Sequence, residues 1–431
     1  MNRTRRTTAA LLMTATLAGL ALTGCSSGGG ADADGVTTIN WWTRVGDHQA
    51  ALAKEFNASQ SAIKVVTTQV PDDQYVNKVG TGIRSSDGPD VLDFDVANGP
   101  LFAATGILSD LSDRAGDIDF ADQLNPGMSA LGDYDGGTYS LPFTAGPSVM
   151  LYNKTLFAQA GLDAEKAPAD WAELSADANA IRALGGDTYG IDIPGACGGC
   201  LSFAVQPLIW ANGGQTMSEA SSDQETEYST NPDVAAAFSL YRDLWESGAA
   251  NPAGQTEAGA TWGQDFEAGK VGIILAGTWM KPLAEKAGFD IGVAPIPGKD
   301  GGYATFAGGD NIGIASSSDS ADASWEFMQF LLATEQQTSI ADSGLVPVRK
   351  DVVTDDFAAK YPDLALQVEI SDESNAPNSI ATNALQLSAS SPWLAAFQSI
   401  VFGGDSPASV LEKSDQDSRA LIEQAYDQVA R

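Results

Sequence analysis

From residue 36 onward the chain alternates strand and helix signals, and that alternation limits its fold more than any other feature. "VTTINWW" (36–42) is β-branched and aromatic, and "HQAALAKEFNAS" (48–59) has apolar residues at helical spacing. "AIKVVTTQV" (62–70) then returns to strand character. An amphipathic segment over 72–83, a turn at "SSDGPD" (85–90) and a buried-type strand "VLDFDV" (91–96) follow. Parallel strands need crossover connections, and helices supply them, so this pattern predicts an α/β fold with mainly parallel sheets covered on both faces. "YDGGTYSLPF" (134–143) reads as a hairpin turning at Asp-Gly-Gly. A second α/β region carries helix signals over 153–161, 170–185, 231–248 and 321–333, with strands over 269–277, 290–298 and 308–318. From residue 390 the tail reads as helical.

What precedes this pattern sets the compartment. Arg3, Arg5 and Arg6 form a basic start, and the apolar run from Ala9 to Leu22 follows. That order is an export signal, and the run is shorter than the ~20 residues that span a bilayer. Leu22-Thr23-Gly24-Cys25 resembles the lipobox of bacterial lipoproteins, with a Ser/Gly tether behind it. Residues 1–24 are thus expected to be a signal peptide, with 25–35 a lipidated Cys25 and its flexible tether. The protein is then expected on the outer face of the cell membrane, held by that lipid. The formal charge of −33 becomes −36 when the three leader arginines, which no leader acid offsets, are removed. So acidic a surface repels phosphate backbones, which argues against a nucleic-acid partner. The hydrophobic content of 43% and nine tryptophans mark a folded chain, not an acidic disordered one.

Nine segments in order carry a family resemblance. They are "GPDVLDFD…LFAATGILSDL" (88–111), "YSLPFTAGPSVMLYNKTLF" (139–157), "APADWAELSADANAI" (167–181), "QPLIWANGG" (206–214) and "FEAGKVGIILAGTWM" (266–280). "GVAPIPG" (292–298), "FAGGDNIGIASSS" (306–318), "GLVPVRKDV" (344–352) and "FGGDSPASVLEKS" (402–414) complete the series. Together they resemble family 1 of the extracellular solute-binding proteins, the sugar-binding proteins of ABC importers. The resemblance implies a two-lobed, type II periplasmic-binding-protein-like fold, with ligand held in a cleft between the lobes. It places lobe crossings near 144–149, 293–299 and 334–345. Lobe one is then 36–145 plus 299–335, and lobe two is 146–293 plus 340–431. The implied function is capture of a carbohydrate, an oligosaccharide, by hinge closure, and delivery to the membrane permease by a monomer. A non-sugar solute, or a surface sensor or adhesin without transport, are the alternatives that the same fold would serve.

A sugar offers hydroxyls and flat apolar ring faces, so its site needs aromatic platforms and polar side chains. Trp279 in "AGTWM" follows a buried strand, where the family places a stacking aromatic. Trp393 in "SSPWLAAF" and Phe203, four residues before Pro207, match two further family aromatics. Trp41 and Trp42 are consecutive on a strand and must point to opposite faces. Trp42 with Thr43 and Arg44 lies at the strand's C-terminal end, where α/β sheets bind ligands. Asp95 and Asn98 stand at another strand end, Asp95 as a hydroxyl partner or as a helix cap. Asp310 follows Gly308-Gly309, which allow close backbone approach. Arg349 in "VPVRK" reads as a ligand contact or as an ion pair between lobes. Gly146 stands where maltose-binding protein has a glutamate, so maltose itself is not carried over.

Enzyme chemistry finds little support. The chain has one histidine, His48, and lacks an H-E-x-x-H pair and a P-loop. The "DFD", "DID" and "DYDGG" runs do not continue as calcium loops, so neither metal nor cofactor is expected. The remaining cysteines stand in "GACGGC" (195–200). Zinc needs about four ligands, and a redox pair needs a helix starting at the first cysteine, which Gly198-Gly199 disfavour. Outside the cytoplasm, Cys197 and Cys200 are expected to form a disulfide that stiffens a loop beside the ligand.

Overall fold

The computed structural model describes residues 35–429, except 45, 84, 86 and 87. The leader, Cys25 and its tether lie outside the described residues. Among the described residues no helix is long and apolar enough to cross a membrane.

Two sheets organise the chain. The first has five strands in the order Ile63–Gln69, Thr37–Thr43, Val91–Asp95, Gly309–Ile314 and Leu141–Ala145. The first three run parallel, as the helical crossovers require. Gly309–Ile314 runs antiparallel to both its neighbours. The second sheet has four strands in the order Ile291–Ala294, Val149–Asn153, Val271–Ala276 and Tyr189–Ile191. Here Val149–Asn153 is the strand that runs against its neighbours. Both reversed strands are the ones by which the chain first enters, or re-enters, a lobe. They arrive by a short link from the other lobe and not by a helical crossover, so nothing turns them to the common direction.

Covering helices bury both faces of each sheet. All five residues of Val149–Asn153 and all six of Val271–Ala276 are buried, as continuous apolar strands under two helical layers should be. Trp41 and Trp42 do point to opposite faces, and both faces are core. Trp41 is wholly buried against Phe143 and Phe327, at ring-centroid distances of 5.9 and 5.0 Å. Trp42 packs with Tyr75, Phe94 and Phe102 on the other side. The hairpin turns at Asp135 and Gly136, whose φ values of 48° and 81° suit a two-residue turn of mirror-image type.

Three chain segments link the lobes side by side. Residues 146–148 join the two sheets directly. Residues 295–308 return through a small sheet of Ile296–Pro297, Tyr303–Phe306 and Ser374–Asn375. Its third strand belongs to the last link, over 371–379. Ser148 ties the first two together, accepting from Thr305 Oγ1 at 2.7 Å and from Phe306 N at 2.9 Å.

The expected crossing at 334–345 differs from this packing. Ala341, Val346, Val348, Phe357, Leu364 and Val368 all join the core cluster built on Trp41, so the chain stays with the first lobe to about residue 368. Only short helices lie there, Thr334–Ser339, Asp355–Lys360 and Pro362–Ile370, and no sheet strand marks which lobe they serve. The last of these helices touches both lobes. Leu364 and Val368 face the first, while Ile370 packs with the second. Thr278 Oγ1 donates to its Gln367 at 3.0 Å, and Lys281 pairs with its Asp363.

Candidate functional site

A cleft of about 410 Å³ opens between the lobes, where the sheet ends meet the links. Its first-lobe wall is polar. Arg44 follows the end of Thr37–Thr43, and Asp95 ends Val91–Asp95. Asp310 lies directly across the antiparallel pair from Asp95. Two carboxylates opposed in this way would repel. Arg44 resolves the conflict by lying over both, with Nε donating to Asp310 Oδ1 at 2.9 Å and Nη1 3.5 Å from Asp95 Oδ2. Thr144 Oγ1 reaches the other Asp310 oxygen at 3.5 Å. Asp95 also caps the short turn after it, accepting from Ala97 N at 3.0 Å, which is the helix-cap reading of that residue.

The second-lobe wall is aromatic. Phe203 lies 5.5 Å from Trp279, 6.3 Å from Trp262 and 5.4 Å from Phe306, ring centre to ring centre. Trp279 is 54% exposed, although it follows a strand buried along its whole length. Its ring folds back over Gly277, where a Cβ would stand 1.7 Å from the indole and push the ring from this position. Three of the lining residues are glycines, Gly146, Gly308 and Gly309, where the first two links meet. A Cβ on Gly308 would meet Gly146 O at 2.6 Å and Phe203 at 2.7 Å, and Gly309 has φ +125°.

Cys197 and Cys200 form the expected disulfide. The expectation that no helix starts there is corrected: Cys197 caps the helix Gly198–Trp210, its sulfur accepting from Cys200 N at 3.1 Å. Gly198 suits this helix start for a packing reason. A Cβ there would lie 2.6–2.7 Å from the carbonyls of Gln386, Leu387 and Ser388. Cys200 lines the cleft. The loop that carries Trp262 rests on the disulfide, since a Cβ on Gly259 would be 3.2 Å from Cys197 Sγ.

Of the residues singled out in the sequence, Arg44, Asp95, Phe203, Trp279 and Asp310 line this one cleft. Five others do not. Trp42 and Thr43 are buried inside the first lobe, and Asn98 is not among the lining residues. Arg349 neither lines the cleft nor bridges the lobes. It donates to Asp351 Oδ1 at 2.8 Å and Leu332 O at 3.0 Å, over the Phe120 ring. Trp393 is fully buried between Tyr228 and Phe238, at 5.2 and 4.8 Å, so it is core. Sequence reasoning passed over Trp262 and Phe306. Trp262 stands in "GATWGQ", amid turn-forming residues with no periodicity to bury it, and that isolation is the signal.

Residues 51–365 match the family described as bacterial extracellular solute-binding protein. The chain belongs to that family. Among its relatives, the diacetylchitobiose binding protein DasA of Streptomyces coelicolor is 29% identical over 356 residues, covering 77% of this chain and 80% of that one. The sn-glycerol-3-phosphate-binding periplasmic protein UgpB of Brucella abortus is 28% identical over 366 residues, with the same coverage. The solved structure of a cyclic α-maltosyl-1,6-maltose binding protein from Arthrobacter globiformis superposes with a TM-score of 0.78 at 28% identity. It covers 90% of this chain and is itself covered completely. The solute-binding protein thus has the two-lobed, type II periplasmic-binding-protein fold.

Proposed function

We propose that this solute-binding protein captures a carbohydrate in the cleft between its lobes and hands it to the permease of an ABC importer. The observation that carries the reading is the half-exposed indole of Trp279 in the same cleft as the Arg44–Asp95–Asp310 network. One wall stacks on an apolar ring face while the other satisfies hydroxyls, and few solutes other than sugars present both. Two relatives are named for binding saccharides, which agrees. The reading makes the protein a receptor and not an enzyme, because Arg44 already holds both cleft carboxylates as ion-paired acceptors. It acts as a monomer on the outer face of the membrane, held by lipid on Cys25.

A sugar library tests this by tryptophan fluorescence and thermal shift. Trp262 and Trp279 line the cleft, so a cognate sugar should change emission and raise the melting temperature together. If only a metal cation or a peptide raises it, the carbohydrate reading is wrong.

A further inference from the structure

The polar wall of the cleft holds two carboxylates and one guanidinium, and that imbalance bears on which carbohydrates enter. Arg44 is the one cation among the described residues lining the cleft. Its fork is turned to Asp310 through Nε and Nη2, and its remaining nitrogen lies 3.5 Å from Asp95. A phosphate or carboxylate needs a free fork or an ammonium to replace its water. Here it would have to take Arg44 from two carboxylates and leave them facing each other across the strand pair. The opposite wall adds to the bias. It carries the half-exposed indole of Trp279, and an aromatic face bears the negative side of the ring quadrupole, which attracts cations and repels anions.

One feature pulls the other way. The helix Gly198–Trp210 begins at the cleft, with Gly199 and Cys200 in the lining, and a helix start carries about half a positive charge. The side chains sum to one negative charge, so the cleft stays negative with that half included. The protein around it, at −33, lies on the same side.

We propose that the cleft selects uncharged and amino-bearing sugars and rejects phosphorylated and carboxylated ones. This rests on the carbohydrate reading above and narrows it. The glycines that line the cleft, Gly146, Gly308 and Gly309, add no cationic side chain to it. Among the solutes named for the chain's relatives, the selection favours diacetylchitobiose over sn-glycerol 3-phosphate.

The test is calorimetry on the full chain with four probes: N,N′-diacetylchitobiose, chitobiose with free amines, N-acetylglucosamine 6-phosphate and sn-glycerol 3-phosphate. A neutral and amino oligosaccharide panel is added beside the phosphorylated counterparts of its members. The expected result is that a phosphorylated sugar binds at least roughly tenfold more weakly than its unphosphorylated partner, a difference of about 1.4 kcal/mol. Asp95→Asn should narrow that gap while the near-ultraviolet circular dichroism stays unchanged. A phosphorylated sugar that binds as tightly as its neutral partner overturns the charge selection and leaves the carbohydrate reading standing. Binding of phosphate esters with no sugar bound, or of no member of the panel, overturns both.

Discussion

Replacing Asp192 by asparagine should stabilise the protein at neutral pH and leave it nearly unchanged in acid. Asp192 follows the strand Tyr189–Ile191 and is 6% exposed, in a cavity of about 220 Å³ that it shares with Glu257 and Asp265. Burial pushes its carboxyl up to about 6, and the neighbouring charges of Asp265 and Glu257 add to this. Hydrogen bonds from Asn251 Nδ2, at 3.3 Å, and from Ile193 N only partly offset it. An acid whose folded value is raised favours the protonated form on folding. Its stabilisation is full below the unfolded value near 3.8 and is lost as pH rises through 6. The gap of about two units corresponds to about 3 kcal/mol at neutral pH. Across the 391 described residues that is a shift of about 4 °C in melting temperature. Asparagine keeps an oxygen for Asn251 and carries no charge, and its amide can donate to the carboxylates beside it. Calorimetric melts at pH 4.5 and 7.5 decide the matter. The variant should gain about 4 °C at pH 7.5 and little at pH 4.5. Equal melting at pH 7.5, or a uniform loss at both pH values, would show that Asp192 is not carrying an uncompensated charge.

The remaining expectations concern the cleft and its imitators. Trp279→Ala should cost about 1–3 kcal/mol of sugar affinity, on the scale of ring stacking on an aromatic, and move the melting temperature by little, because the ring is half exposed. Titration and a melt of the same preparation check both halves. Trp393→Ala should do the reverse, destabilising by about 3–5 kcal/mol as a large core truncation while the surviving folded fraction binds normally. Denaturant unfolding and ligand titration measure that pair of outcomes. Cys197–Cys200 closes only a short loop, so chain entropy predicts that reducing it loses roughly 2 kcal/mol of stability. The greater effect should be on affinity, since the disulfide caps the helix that carries Phe203 and supports the loop that carries Trp262. A melt and a titration with and without reductant separate the two.

The cleft's polar wall was legible because it depends on local rules. Strand ends bind ligands in α/β sheets, so Arg44 and Asp95 could be named from the strands that precede them, and Asp310 from the two glycines before it. Aromatics were harder, because a tryptophan at a cleft and one in a core share the same neighbours in sequence. Trp279 and Trp393 both follow a break in structure. The first is forced outward by a short turn over Gly277, and the second is the second residue of the helix Pro392–Val401, whose buried face packs into the second lobe. Trp42 failed for a related reason. Alternation correctly sets it opposite Trp41, but a sheet covered on both faces has no solvent side for either. The third lobe crossing was illegible because lobe membership after residue 334 is decided by long-range packing of short helices, which leaves no periodicity to read.

The arrangement of the walls says why binding and closure must be linked in this protein. A ligand shifts an equilibrium between open and closed forms only as far as it binds one better than the other. Contact with Arg44, Asp95 and Asp310 alone is contact with one lobe, available in both forms, and it shifts nothing. Trp279 and Phe203 stand on the other lobe, so their stacking on a ligand already held by the polar wall exists only when the lobes are together. Asp310 is two residues beyond Gly308, whose carbonyl accepts from Gly146 N at 2.9 Å. Its strand's pairing with Leu141–Ala145 slips just after Asp310, and a bulge of this kind re-aims a side chain toward a site. The carboxylate that anchors the polar wall is therefore fixed to the backbone that links the lobes. Closure can bring the aromatic wall to the ligand while the ligand's polar contacts stay where they formed.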